Sequence, residues 1–338
     1  MTVSVQTCAR LFLMTLVMGG CAPSPCPSAN DNDNSGSTPV WREAFDAADV
    51  GFMSSVWGSS PENVFVVGGQ PDRGVAYRFD GTHWEPMEIP DVPILVWVYG
   101  FGSDNVFAVG EQGGAIHYDG AVWRTMLTET EIDLWGVWGA SPSEIWAVGG
   151  EIADGPPIIL RFNGNEWRSV PVPELDRPST ALLKVWGTSS DHVFAVGQAG
   201  VILEFDGSQW RQAASGTSDD LVSLWGAGPD RILAVGGRSN GVIASYDGTG
   251  WTSRSAAPLP GLNGVFVEVT GEAVVVGLIG SAAATHTETL MISPEDTPTA
   301  LTLHAVWADG AGVTYAVGGR TSETPYRGVA LVRTRDDE

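Results

Sequence analysis

An aromatic residue followed eleven positions later by a glycine that closes an apolar run occurs seven times in this chain. The aromatic residues are Trp57, Tyr99, Trp138, Trp186, Trp225, Phe266 and Trp307, and the glycines are Gly68, Gly110, Gly149, Gly197, Gly236, Gly277 and Gly318. The first copy reads Val56-Trp57-Gly58-Ser59-Ser60-Pro61-Glu62-Asn63-Val64-Phe65-Val66-Val67-Gly68. Successive aromatics are 39 to 48 residues apart. A period of this length implies a repeat architecture and overrides the two-domain expectation that 338 residues would otherwise raise.

Each unit holds four short runs suited to strands and no amphipathic helical pattern. In the second unit these are Leu95 to Tyr99, Val106 to Val109, Ala115 to Tyr118 and Val122 to Met126. The last two are joined by Asp119-Gly120, and the same turn recurs as Asp80-Gly81, Asn163-Gly164, Asp206-Gly207 and Asp247-Gly248. Such pairs between apolar runs signal a hairpin, with a type I′ turn expected because it needs φ > 0 at both central residues. A tryptophan follows each turn: Trp84, Trp123, Trp167, Trp210 and Trp251. Four antiparallel strands per unit and seven units predict an all-β chain folded as a seven-bladed β-propeller.

The chain ends predict how the ring closes. The seventh unit stops after its third strand, Val329 to Arg333, whereas Trp41-Arg42-Glu43-Ala44-Phe45 stands upstream as a fourth strand without a blade. Trp41 precedes Trp57 by 16 residues, close to the 15 that separate most hairpin tryptophans from the next aromatic. The N-terminal strand should complete the last blade and leave no free sheet edge there. The sixth unit is the poorest copy, with Ser281 to Ile292 in place of an Asp-Gly hairpin.

Face-to-face packing of blades buries both faces of the inner strands, so Val56, Val98, Val137, Val185, Leu224, Val265 and Val306 are expected in the inter-blade core. The glycine after the second strand should mark a bulge or a close backbone approach. Tryptophans at fixed spacing in nearly every blade read as packing residues rather than as a platform for sugars or bases.

The first forty residues are different in kind. One basic residue, Arg10, precedes the apolar run Leu11 to Met18 and then Gly19-Gly20-Cys21. Eight residues, apolar but for Thr15, are too few to span a bilayer but suit an export signal. Small residues before a cysteine resemble the lipobox of bacterial lipoproteins, which implies a signal peptide over residues 1–20 and lipidation of Cys21; Met18 stands where leucine is commoner. An ordinary secretory signal with Cys21 paired to Cys26 is the alternative. Residues 21–40 read as a flexible tether and 41–338 as the propeller domain. Ala22 rather than aspartate after the cysteine implies an outer-membrane or cell-surface lipoprotein of a Gram-negative bacterium, with a periplasm-facing position as the variant.

Forty acidic against 17 basic residues give a net charge of −23, and the only lysine is Lys184. Nucleic acid and direct adhesion to anionic lipid are disfavoured by that sign, so the membrane is expected to be met through the N-terminal lipid alone. The three cysteines, Cys8, Cys21 and Cys26, all lie before the repeats, so the folded body has no disulfide framework or thiol site.

Loop lengths separate two rims. First-to-second connections are nearly constant and third-to-fourth ones are tight turns, which places both on one rim; second-to-third and fourth-to-first connections vary and share the other. Variable loops on a rigid scaffold are where a ligand is expected. That rim carries Asp72, Arg73, Glu111, Glu151, Asp154, Asp176, Arg177, Asp219, Asp220, Arg238, Glu295, Asp296 and Arg320.

Units of the form W-G-x-S-x-x-D/N-V-F/W-A-V-G followed by I-x-x-Y/F-D-G-x-x-W, cleanest at Val193 to Gly197 and Ile202 to Trp210, resemble the secreted propeller repeats of bacterial proteins of the BNR type and the photosystem II assembly-factor type. The resemblance covers residues 41–338 and implies the fold, while the family's functions are diverse. Ser245-Tyr246-Asp247-Gly248-Thr249-Gly250-Trp251 approaches the sialidase Asp-box but places glycine directly after the aspartate and the tryptophan one position early. The five histidines lie at least 18 residues apart, with no metal-binding spacing, and neither a G-x-S-x-G elbow nor a P-loop is present. No catalytic residue, metal or cofactor is therefore assigned. The expectation is a monomeric, non-catalytic module that binds or assembles with an envelope protein through its variable rim. A glycan-active hydrolase or lyase using rim carboxylates and arginines is the alternative, with a glycan as its ligand.

Overall fold

A computed structural model describes residues 40–334. The expected signal peptide over 1–20, the proposed lipidation site Cys21 and the expected tether up to residue 39 lie outside the described residues. The described chain forms seven antiparallel four-stranded sheets. Six follow sequence order, and the seventh is built from Thr302–Ala308, Val313–Arg320 and Arg327–Thr334 with Val40–Glu43 added at its outer edge. The N-terminal strand completes the last blade as the chain ends predict, with Trp41 opposite Arg333. Each blade's inner strand packs against the next, and those of blades 7 and 1 also touch, so the ring is closed.

The repeated glycine is required by a contact rather than by its own dihedral angles. In five blades it pairs with the residue that opens the inner strand, as in Leu134 with Gly149 and Leu221 with Gly236, and in blades 1 and 7 with the second residue, Met53 and Leu303; a register shift follows at once in each. A Cβ on Gly236 would lie 1.8 Å from the Asp220 carbonyl oxygen, and the other six positions would place it 1.9 to 2.4 Å from the equivalent carbonyl. No carbon fits there. The core residues behave as expected, with Val56, Val98, Val137, Val185, Leu224, Val265 and Val306 all buried.

The glycine after the aromatic also has a steric cause. A Cβ on Gly58 would meet the Trp307 ring at 2.6 Å, on Gly100 the Trp57 ring at 2.6 Å, and on Gly226 the Trp186 ring at 2.7 Å. The indole of one blade thus lies against the glycine of the next at these positions, and at Gly139 the ring is that of Phe101 instead. Hairpin tryptophans are packing residues too: Trp123 meets Phe65 at 6.4 Å, Trp210 meets Trp146 at 5.2 Å and Trp251 meets Phe194 at 5.7 Å, each edge-on across a blade interface. Edge-to-face geometry sets the positive edge of one ring on the negative face of the other.

The Asp-Gly turns differ from the expected type I′ geometry. Only the glycine has positive φ, as at Gly120 with +89°, and the loop runs four residues between paired strand ends such as Tyr118 and Trp123. The preceding side chain makes the turn instead. Asp119 Oδ1 accepts from the backbone N–H groups of Ala121 and Val122 at 3.0 and 2.9 Å, and Asp80, Asn163, Asp206 and Asp247 bond the same way. This is an Asx turn extended by one residue. The backbone donors hold the Asp80 and Asp119 carboxyls down at about 2, and the Ser208 hydroxyl, followed by the backbone donors, does the same for Asp206.

The two-rim assignment is visible in direct approaches. A Cβ on Gly120 would touch Asp104, so third-to-fourth turns lie against first-to-second turns. A Cβ on Gly113, Gly200 or Gly280 would strike the carbonyl of Thr130, Thr217 or Thr299, which joins the second-to-third turns to the fourth-to-first loops on the opposite rim.

Candidate functional site

Inner strands begin at the variable rim, so their first residues surround the mouth of the central channel. The register shift near each strand start leaves one residue unpaired, and those residues are Ser54, Val96, Trp135, Leu183, Val222, Asn263 and His304. Four of them line a cavity of about 590 Å³ together with Phe52, Ile94, Glu111, Leu278, Leu301, Arg320 and Tyr326, among others. The cavity therefore takes walls from blades 1, 2, 3, 6 and 7.

Neighbouring blades are tied together around this mouth. Ser54 Oγ shares its one proton between the Leu95 carbonyl at 2.5 Å and the Val67 carbonyl at 3.0 Å, and Asn263 Nδ2 donates to the Leu303 carbonyl at 3.2 Å. His304 Nδ1 lies 2.6 Å from the Ser54 carbonyl oxygen. A carbonyl can only accept, so Nδ1 carries the proton and Nε2 is left as a lone-pair acceptor. Burial, with the charge of Lys184 as a second cause, pulls the His304 imidazole down to about 4, so it is neutral at pH 7.

Lys184, buried at 3% exposure, occupies the interior. Its Nζ donates to the Trp135 carbonyl at 3.2 Å and sits 3.1 Å above the centroid of the Trp97 ring, so one side chain links blades 4, 3 and 2. Burial lowers its amine well below the ordinary value of 10.5. A lysine that is harder to protonate when folded binds fewer protons than the unfolded chain, so stability rises with pH until the unfolded amine also deprotonates. Melting curves should therefore show the wild type gaining on Lys184→Met as pH rises from 7 towards 10. A constant gap across that range would contradict this assignment.

Glu111 opens a single 3-10 turn, Glu111–Gly113, and its half-buried carboxylate lines the cavity. Burial raises its pKa first, and the nearby carboxylates of Asp133 and Glu151 raise it further. Arg320, across the mouth, pairs with Glu323 at 3.1 Å. The other rim residues singled out in the sequence are dispersed. Asp176 and Arg177 border a cleft of about 400 Å³ between blades 3 and 4, where Arg177 reaches the Thr217 carbonyl at 3.4 Å. Asp219, Asp220 and Arg238 border another of about 510 Å³. There Asp220 accepts from the Ala199 N–H at 2.9 Å and pairs with Arg238 at 2.7 Å, so its carboxylate is occupied in holding the loop. Asp72, Arg73, Glu151, Asp154 and Asp296 are exposed and join neither cleft nor cavity.

Glu295 is a correction. It does not stand free on the rim: its Oε2 accepts from Trp41 Nε1 at 2.7 Å and its Oε1 pairs with Arg333. Both charged side chains are about nine-tenths buried, and Arg333 also lies over the Trp41 ring. Glu295 belongs to the ring closure. Conversely, sequence reading did not single out Trp135, Lys184 or His304 as channel residues. The signal was present, because each stands one or two positions before a core Val of an inner strand.

No protein-family profile matches the chain. Over 190 residues it is 23% identical to the Immune protein Tsi7 of Pseudomonas aeruginosa, a match that takes in 54% of this chain and 58% of that protein. The chain thus matches a little more than half of that relative's length. Among solved structures, YCF48 bound to D1 peptide superimposes with a TM-score of 0.66 at 14% identity, over 89% of this chain and all of that one. The WD40 propeller domain of Doa1 gives 0.67 at 9% identity, over 88% and 98%. Likeness at such low identity is a likeness of fold, and the chain is a seven-bladed propeller of the architecture these proteins share.

Proposed function

We propose that this protein is a binding or assembly module that engages a protein partner through its variable rim. One observation carries the reading: loops of different lengths gather on one face around an open, largely apolar channel mouth, while the opposite face of blades 1 to 5 is made of near-identical turns. Exposed Leu127, Ile152 and Ile279 lie on loops of the variable face, where isolated apolar side chains among charges suit a protein interface. The likeness to a propeller solved with a bound peptide and to a WD40 domain supports it. Full-length protein used as bait in envelope extract should retain a specific protein; an eluate indistinguishable from a bait-free control would defeat the reading.

The export signal and Cys21 extend the proposal to a lipid-anchored protein of the cell envelope. Several acyl chains on one cysteine would anchor it stably, each buried CH₂ contributing about 0.8 kcal/mol. Cys21→Ser should move the protein from the membrane to the soluble fraction; membrane retention of that variant would count against lipidation.

A further inference from the structure

The cavity at the channel mouth is lined by Glu111, His304, Arg320 and Tyr326, and the states of the first three are unequal. Arg320 pairs through one guanidinium nitrogen with Glu323 at 3.1 Å. Glu111 has no hydrogen bond or ion pair among the described residues, and the charged groups that act on it, Asp133 and Glu151, share its sign. His304 spends its one N–H on the Ser54 carbonyl and offers only the Nε2 lone pair, for which no partner is present among the described residues. The amine of Lys184 is bound to the Trp135 carbonyl and the Trp97 face and does not line the cavity, although its charge reaches His304. The pair formed by Glu111 and His304 thus offers acceptors, one of them anionic. Its complement is a cation rich in N–H donors.

The walls add a second requirement. Phe52, Ile94, Val96 and Leu301 present apolar surface, which suits a methylene stem leading to a charged head. Two acceptors on blades 2 and 7, with one blade between them, favour a guanidinium, whose five donors diverge in one plane, over a compact ammonium. A net charge of −23 would draw a basic partner towards the protein before contact.

We propose that the channel mouth is a socket for one arginine side chain of a partner protein, with Glu111 and His304 receiving the guanidinium and the apolar wall receiving its stem. The socket deepens the variable-rim reading and rests on it. It is a site of recognition only, and no bond is made or broken there.

The test is calorimetric titration of the full chain with the capped pentapeptide Ac-Ala-Leu-Arg-Leu-Ala-NH₂ and with the same peptide carrying citrulline or lysine at the centre. Arginine should bind at least tenfold tighter than its neutral isostere citrulline, and several-fold tighter than lysine. Glu111→Gln should remove most of the arginine advantage while melting no lower than wild type, because the substitution relieves repulsion from Asp133 and Glu151. Glu111→Arg should turn the preference towards a central glutamate. Equal binding of arginine and citrulline peptides, or an arginine affinity unchanged in Glu111→Gln, would overturn the socket; lysine binding as tightly as arginine would overturn the guanidinium assignment. The rim reading fails separately: an envelope protein captured equally by wild type and Glu111→Gln overturns the socket and leaves the rim in place, whereas capture of nothing strikes the rim reading and the socket with it.

Discussion

Removal of residues 40–46 should cost this protein most of its stability, because that short segment fastens three blades. Its strand pairs Val40 to Glu43 with Thr334 to Leu331, and Trp41, at 3% exposure, fills a core made by Val274, Val276, Leu303, Val306, Ala316 and Leu331. Beyond the strand, Phe45 stacks on Tyr77 at 5.2 Å and packs on Trp84 at 4.9 Å, which carries the fastening into blade 1. The Trp41 to Glu295 hydrogen bond carries it into blade 6. Trp41→Ala alone should cost about 3–5 kcal/mol, the usual range for deleting a buried tryptophan. Glu295→Ala should cost a similar amount for a different reason, since it leaves the Arg333 guanidinium buried without its counter-charge. Denaturant titration of the three variants should rank the deletion as most severe. Wild-type stability in the deletion variant would mean that the N-terminal strand is not a working part of the last blade.

The second large effect is expected from a single methyl group. Gly236→Ala adds a carbon 1.8 Å from the Asp220 carbonyl oxygen, a contact that only backbone displacement can relieve. The displaced carbonyl is also the acceptor for the Gly237 N–H, so the turn that holds Arg238 to Asp220 moves with it. Overpacking of this kind costs about 3 kcal/mol or more. Gly250→Ala is the matched control: nothing lies within 4 Å of its added carbon, so it should stay within about 0.5 kcal/mol of wild type. If both variants melt together, the repeated glycine is not required by the carbonyl approach.

The blade scaffold was legible in the sequence because every copy solves the same packing problem. A valine or leucine, an aromatic and a glycine recur where the geometry of the ring leaves no alternative, and even the closure could be read from one orphan strand. Turn chemistry was half legible: Asp-Gly marked the hairpin, but the aspartate acts through its side chain and not through a left-handed backbone. The channel mouth was obscure for the opposite reason. Ser54, Val96, Trp135 and His304 occupy one structural position yet share no chemistry, so no pattern announces them, and their common place depends on a register shift. Glu295 illustrates a further limit, since its partner Trp41 lies 254 residues away and only the closed ring brings them together.

The variable rim as a protein-binding face is tested most directly by charge reversal on each face in turn. Asp72, Glu151 and Asp219 are exposed on the variable rim, and Glu62, Asp104 and Asp230 are exposed on the opposite one. Two triple variants to lysine, each used full-length as bait in envelope extract, should behave differently. The variable-rim triple should lose the partner that wild type retains, and the opposite-rim triple should keep it. Loss of the partner only in the opposite-rim triple, or its retention in both, would contradict the account.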